Sequence, residues 1–326
     1  MASQALIGEG HTVLVGAVRY AELCVTGRSM LVEHGFTLVE NQTTTPWTAD
    51  DMAPLLPTAA AAVCGVEVYD AGALAQAPNL KIISRLGVGL DNIDLPQARE
   101  HGVDVVNAPG GNAAAVAELA LGLLIAVYRK IPAMNDDIRS GRWDRYVGSE
   151  VAGKSFGLIG FGAIARLFAQ RLSGFDVTIK AYDPFGDAEL AERLGVTLVS
   201  LEEAVADVDV VSVHAPHLPS THHIVNADLL ARMRPGTVVL NTSRGGLVNE
   251  ADLVAALASG HIAGAGLDVF ETEPVAADNP LLAFPSVVAT THAAADSQEA
   301  YHRIGVSTAQ AIIDVFAGRT PAALAN

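Results

Sequence analysis

The sequence predicts an α/β fold of parallel sheets divided into two domains, and three observations predict it. Short apolar runs alternate with helical patterns along most of the chain, the βα alternation that builds a parallel sheet. The 326 residues are 50% hydrophobic and only 17% charged, enough to bury two cores. Midway, Phe156-Gly157-Leu158-Ile159-Gly160-Phe161-Gly162-Ala163-Ile164-Ala165 reads as a strand, a glycine turn and the opening of a helix.

Taken in order, the first series has strands at 12–15, 37–39, 61–64, 81–84 and 103–106, each apolar and bounded by turn residues. Asn107-Ala108-Pro109-Gly110-Gly111 interrupts the pattern and reads as a hinge. A long apolar helix over 113–130 follows. Its most apolar part contains Glu118 and falls short of the roughly 20 residues that cross a bilayer. The glycine turn then opens a second series, with strands at 157–160, 178–182, 208–213, 237–240, 263–267 and 287–289 and a helix over 164–172 after the turn. A closing helix over 297–316 has no strand after it and is expected to cross back to the first series. That makes one domain discontinuous, 1–108 with 293–326, and the other 109–292.

The glycine turn carries the first chemistry. Gly160 turns the chain off the strand, Gly162 lets a pyrophosphate approach the backbone, and Ala165 takes the third small position. Ala163 and Ile164 open the helix, whose first N–H groups and positive dipole end suit phosphates. The next strand ends in Asp183, placed to accept hydrogen bonds from ribose hydroxyls and to repel a 2′-phosphate; Pro184-Phe185-Gly186 add no cation. The expected cofactor is NAD. His214 and Pro216, at the end of the 208–213 strand, border it, and Ala294 is counted with the same contacts.

Ligands of open parallel sheets lie beyond the carboxyl ends of the strands. Arg244 follows one strand within Asn241-Thr242-Ser243-Arg244-Gly245-Gly246, Asp268 and Glu273 follow the next, and His292 follows the last. An arginine fork suits a substrate carboxylate and polarises a neighbouring keto oxygen. A histidine can protonate that oxygen as hydride arrives. Glu273 paired to His292 stabilises the imidazolium, and Asp268 is placed to bond the nicotinamide carboxamide. In the first domain, Arg85-Leu86-Gly87-Val88-Gly89-Leu90-Asp91 reads equally as an anion nest or as a tight βα turn.

Composition excludes other classes. A net charge of −16 argues against a nucleic-acid partner. Two cysteines, Cys24 and Cys64, exclude a disulfide framework and fit a reducing compartment. No signal peptide is evident, so a cytoplasmic location with no membrane association is expected. The adjacent His222 and His223 lack ligand spacing and no Cys/His cluster exists, so no metal is expected.

These motifs together resemble the D-isomer-specific 2-hydroxyacid dehydrogenases, in the branch similar to D-3-phosphoglycerate dehydrogenase, from about Ala60 onward. The resemblance rests on Gly87-Val88-Gly89-Leu90-Asp91-Asn92-Ile93-Asp94, Asn107-Ala108-Pro109-Gly110-Gly111-Asn112 with Val116-Ala117-Glu118, the glycine turn, the Asn241–Gly246 run, Asp268-Val269-Phe270 with Glu273-Pro274, and His292. It implies two Rossmann-like, doubly wound parallel-sheet domains with the active site in the cleft between them. It implies a catalytic trio of Arg244, Glu273 and His292. Val88 and Gly89 match backbone donors to the substrate carboxylate, and Asn112 matches a polar residue of the cleft. Asp183, Thr242, Ser243 and Asp268 match NAD contacts. A homodimer through the cofactor domain, with a crossover arm over 139–149, is also implied.

Two departures qualify the resemblance. Where the phosphoglycerate branch often carries Arg, this chain has Cys64-Gly65-Val66-Glu67, which argues against phosphoglycerate itself. The chain ends soon after its last helix, so serine feedback through a regulatory domain is not expected. The expected activity is interconversion of a small 2-keto acid and its D-2-hydroxy acid. A second anionic group on the substrate would be met by Arg85, Arg19 or Arg145. The alternatives are a hydroxypyruvate- or glyoxylate-type reductase with a neutral-tailed substrate, and a non-catalytic NAD-sensing module. A formate- or phosphite-type dehydrogenase is a further relative, but the formate type generally has Gln where this chain has Glu273.

Overall fold

The apolar runs pair into two parallel sheets in the computed structural model, which describes residues 6–326. The backbone separates into two compact units, residues up to 112 with 296–326, and 113–295.

The first unit holds β1 (Thr12–Val15), β2 (Thr37–Glu40), β3 (Ala59–Cys64), β4 (Ile82–Arg85) and β5 (Asp104–Val106), in the order β2-β1-β3-β4-β5. Central β3 reads AAAAVC and is buried at every position, because helices cover both faces and leave no side for polar residues. Leu14, Met52, Leu56 and Ile83 fill one face. Val13, Val15, Leu31 and Ile312 fill the other. Ile312 belongs to the closing helix Gln298–Phe316, which packs on helix Val25–Glu33. The two helices meet backbone to backbone, since a Cβ on Gly27 would lie 2.2 Å from the Gly305 carbonyl oxygen. The chain's end is tied in by Asn326, whose side chain accepts from Val105 N and donates to Val103 O.

The second unit holds β6 (Ser155–Ile159), β7 (Thr178–Tyr182), β8 (Val196–Leu198), β9 (Val210–Val213), β10 (Thr237–Asn241), β11 (Ile262–Leu267) and β12 (Val287–Ala289). Their order is β12-β11-β10-β9-β6-β7-β8. The chain runs outward from β6 through β7 to β8, then restarts at β9 on the other side of β6. The switch point is therefore the β6/β9 pair, the place where open α/β sheets bind ligands. Helices Ala113–Arg129 and Ala163–Leu172 cover one face around Phe156, Leu158 and Phe168. Val211, Val239, Leu253 and Ile262 fill the other. Strand β8 has no counterpart in the sequence reading; it is a three-residue edge, too short to show a period. After Arg129, Lys130 takes a left-handed conformation (φ 52°) and starts a new helix, Ile131–Arg139. Residues 142–150 beyond it carry no helix or strand. No described helix is long and apolar enough to cross a membrane.

Candidate active site

The switch point is built by the glycine turn. Gly160 has φ +95°, and a Cβ there would stand 2.8 Å from the His214 carbonyl, so only glycine lets β6 turn beside β9. Gly162 caps helix Ala163–Leu172 without a side chain, and a Cβ on it would meet nothing within 4 Å. The helix thus opens with unspent N–H groups facing empty space, which fits a pyrophosphate. Asp183, half-buried at the end of β7, accepts Phe161 N (2.7 Å) on one oxygen and Phe185 N (2.8 Å) on the other. It both braces the turn and keeps lone pairs outward for ribose hydroxyls.

Two buried polar atoms near the switch point lack partners. His214 follows β9, with its Nε2 2.9 Å from Ser212 Oγ and its Nδ1 unpartnered. Burial pulls its imidazole down to about 4, so it is neutral at pH 7. Thr242 Oγ1, after β10, is likewise buried and unpartnered. Such orphans mark a place where a ligand supplies the missing bonds. The donor set and the open helix start fit a dinucleotide.

The loop after β10 is shaped by a residue whose role the sequence reading did not single out. Asn241, buried, accepts Ser243 N (3.0 Å) and donates to Arg244 O (2.9 Å), so its side chain folds the Thr242–Arg244 turn back on itself. Ser243 Oγ donates to Val213 O (2.9 Å), fastening the loop to β9. A Cβ on Gly245 would overlap the Phe270 backbone at 1.9 Å, which brings the Arg244 loop against the β11 loop. Arg244 itself donates from Nη1 to Ser243 O (2.8 Å).

Asp268 has a structural part beside the one expected of it. Its carboxylate is fully buried. It accepts Thr290 Oγ1 (2.5 Å), Ala293 N (2.9 Å) and Ala294 N (2.9 Å), while the Asp268 carbonyl accepts His292 N (2.8 Å). These bonds hold the 290–294 turn, with Oδ1 accepting two of them and Oδ2 one. Ala294, expected as a cofactor contact, is one of the N–H groups so held. The turn forces His292 into a left-handed conformation, φ 53°, uncommon for a non-glycine residue and typical of a position the surroundings over-determine. His292 Nδ1 then meets Glu273 Oε2 at 2.6 Å, and Glu273 Oε1 accepts Phe270 N (3.0 Å). His292 remains 46% exposed in its side chain, so the outer nitrogen is available to a ligand. The 2.6 Å contact is a charge-assisted bond whenever the imidazole carries its proton.

In the first unit, Gly87 (φ +153°) donates to Arg85 O and accepts Ala108 N (2.9 Å). Asn107 Nδ2 holds Val88 O at 2.7 Å. Among the described residues the N–H groups of Val88 and Gly89 have no acceptor, which fits an anion nest. Arg85 Nη1 donates to Leu86 O (2.6 Å) and lies beside Gly87. Asn112 Oδ1 is buried without a partner. Of the other two expected cations, Arg19 is exposed and forked onto Glu22 (2.7 and 2.9 Å), and Arg145 lies in the exposed 142–150 segment.

A buried acid of this unit stands close to the nest. Glu67 is 2% exposed, with its carboxyl packed where Cβ atoms on Gly16 and Gly65 would go. It accepts Gly65 N at 2.5 Å on one oxygen and has no partner on the other. Burial pushes it above the ordinary carboxylate range, and nearby Arg85 pulls in the opposite direction. Its sequence neighbourhood, Cys64-Gly65-Val66-Glu67, carries no signal of this burial.

Residues 121–294 match the model of the NAD-binding domain of D-isomer specific 2-hydroxyacid dehydrogenases. D-3-phosphoglycerate dehydrogenase of Mycobacterium tuberculosis is 44% identical over 251 residues, 76% of this chain and 47% of that protein. Hydroxypyruvate reductase of Thermotoga maritima is 42% identical over 238 residues, 72% of this chain and 77% of that protein. The structure of the pyruvate reductase of Chlamydomonas reinhardtii aligns with a TM-score of 0.87 at 30% identity, covering 98% of this chain and 100% of that one. This chain thus spans about half the length of the D-3-phosphoglycerate dehydrogenases it matches.

Proposed function

The chain belongs to the D-isomer-specific 2-hydroxyacid dehydrogenase family, and from that premise we propose that it reduces a small 2-keto acid to the D-2-hydroxy acid, or runs the reverse, with NAD(H). The observation that carries this reading is the His292–Glu273 pair at 2.6 Å, presented by a strained turn that Asp268 pins from beneath. NAD(H) supplies the hydride; its pyrophosphate would lie on Gly160, Gly162, Ala163 and Ile164, its ribose on Asp183, with His214, Pro216, Thr242 and Ser243 around it. Arg244 holds the substrate carboxylate and orients the keto carbon, and the N–H groups of Val88 and Gly89 are a further set of donors for an anion. His292 donates its proton to the keto oxygen, and Glu273 stabilises the imidazolium before the transfer. On this reading the first unit is the substrate domain and the second the cofactor domain.

Glu67 supports a neutral-tailed acid such as hydroxypyruvate or glyoxylate over a dianionic one. Arg85, the cation beside the nest, already interacts electrostatically with the buried Glu67 carboxyl, which competes with a phosphate or second carboxylate for it. Trp143 and Val147, 83% and 89% exposed, support a homodimer through the 142–150 segment. Free, buried Cys24 and Cys64 support a reducing compartment such as the cytoplasm. The experiment is His292→Ala, which lowers kcat by about two to four orders of magnitude, the scale of a lost general acid, while NADH still binds. Full turnover in that variant removes the assignment.

A further inference from the structure

Three of the chain's ten histidines fall within residues 217–223, and the proposed chemistry uses none of them. The chain brings them together in the loop after β9. His217 Nε2 lies 3.1 Å from His222 Nδ1. The His222 ring stacks on His223 at 3.8 Å between centroids, 24° from parallel. His223, in a left-handed conformation (φ 50°), is itself fixed: its Nε2 meets Glu271 Oε1 at 3.0 Å and its Nδ1 lies 3.4 Å from Asn249 Nδ2. On the other side, the His217 ring sits over Gly246, where a Cβ would come within 2.7 Å of Nε2.

We propose that His217 Nε2 and His222 Nδ1 chelate a divalent transition-metal ion of the zinc class. Bonds of about 2.0–2.1 Å to one such ion set two imidazole nitrogens about 3.0–3.4 Å apart. This pair already stands at 3.1 Å. Each ring has a packed face before any ion arrives, His217 against Gly246 and His222 on the His223 ring that Glu271 holds. Imidazole suits zinc, copper and nickel, and a net charge of −16 favours a cation. In the neutral pair one ring donates across the gap. To bind, that ring moves its proton to its outer nitrogen, so both lone pairs face the ion and no proton is lost. No set of three or more His, Cys, Asp or Glu side chains able to hold a metal occurs among the described residues, so water completes the coordination. This is an exchangeable site and not a resident one. The sequence reading looked only at the adjacent His222 and His223; the working pair is five residues apart and closes through the loop.

The ion would close the 217–222 loop on itself and fix the His217 ring where it lies against Gly246, two residues beyond Arg244, and so hinder any motion that carries the Arg244 loop past that ring. That consequence rests on the functional reading above; the site itself does not. The test is calorimetric titration of the full chain, stripped of metal, with zinc chloride. Wild type is expected to take up one ion with a Kd on the order of 10 μM, about −7 kcal/mol. His217→Ala and His222→Ala each weaken this at least tenfold, and His302→Ala leaves it unchanged. Millimolar binding by wild type, or wild-type affinity in either His217→Ala or His222→Ala, overturns the site. In a parallel assay, saturating zinc is expected to lower keto-acid turnover in wild type and to spare His222→Ala. Equal inhibition of the two, or none, overturns the regulatory consequence alone.

Discussion

Asp268→Asn separates two views of how the β12 loop works. The wild-type carboxylate accepts Thr290 Oγ1 and Ala293 N on one oxygen and Ala294 N on the other, out of contact with solvent. Asparagine keeps one carbonyl oxygen, enough for Thr290 and Ala293, but turns its NH2 toward the Ala294 N–H. One charge-assisted bond is lost, about 1.5–3 kcal/mol, and two donors are left face to face in a buried place, about 1–3 kcal/mol more. The expected destabilisation is about 3 kcal/mol, read as a lower urea midpoint by far-UV circular dichroism. The relaxed turn also lets His292 move. A displacement of about 1 Å costs on the order of a hundredfold in kcat, while the Kd for NADH changes by no more than a few-fold. If Asp268 instead serves the nicotinamide carboxamide, the variant keeps its midpoint and loses NADH affinity. That outcome, or a variant with wild-type midpoint and turnover, refutes the reasoning.

Three other outcomes are expected. With Asp183 at the ribose position and no cation in Pro184-Phe185-Gly186, kcat/KM with NADH exceeds that with NADPH by at least tenfold, about 1.4 kcal/mol; equal rates with both cofactors contradict it. His214 is held neutral to about pH 4, against 6.5 for a free imidazole. Its contribution is therefore complete above pH 6.5 and is lost as pH falls toward 4, because only the unfolded chain takes up the proton in that window. This amounts to about 2 kcal/mol between pH 6.5 and 5, so a His214→Gln variant should show a correspondingly flatter acid limb in urea unfolding, and an unchanged limb would count against it. Glu67→Gln removes a carboxyl that interacts electrostatically with Arg85, so kcat/KM for phosphohydroxypyruvate relative to hydroxypyruvate rises about tenfold; an unchanged ratio shows that Glu67 does not set the tail class.

What was legible in the sequence was what is local. The glycine turn, Asp183 and the Asn241–Gly246 run are contiguous residues whose types carry their own geometry, and the strands that flank them are apolar runs long enough to read. Strand β8 escaped because Val196-Thr197-Leu198 is a three-residue edge whose pairing with β7 exists only once the sheet has formed. The role of Asp268 escaped for a related reason. Its position after β11 was visible, but its orientation depends on Thr290 and Ala294, more than twenty residues away. Glu67 has no burial signal in its own neighbourhood, and it is Gly16 after β1 and Gly65 after β3 that leave room for its carboxyl. His217 and His222 are ordinary exposed histidines in the sequence; a loop closure makes them a pair.

The central claim is keto-acid reduction, and its most direct measurement is NADH oxidation by the full chain with glyoxylate, hydroxypyruvate, phosphohydroxypyruvate and oxaloacetate, followed by chiral analysis of the product. The account predicts turnover of at least one of these acids, fastest with a neutral-tailed one, with hydroxypyruvate giving the D-hydroxy acid and with His292→Ala slower by about two to four orders of magnitude. Tight NADH binding without turnover of any 2-keto acid, or production of the L-hydroxy acid, would contradict it.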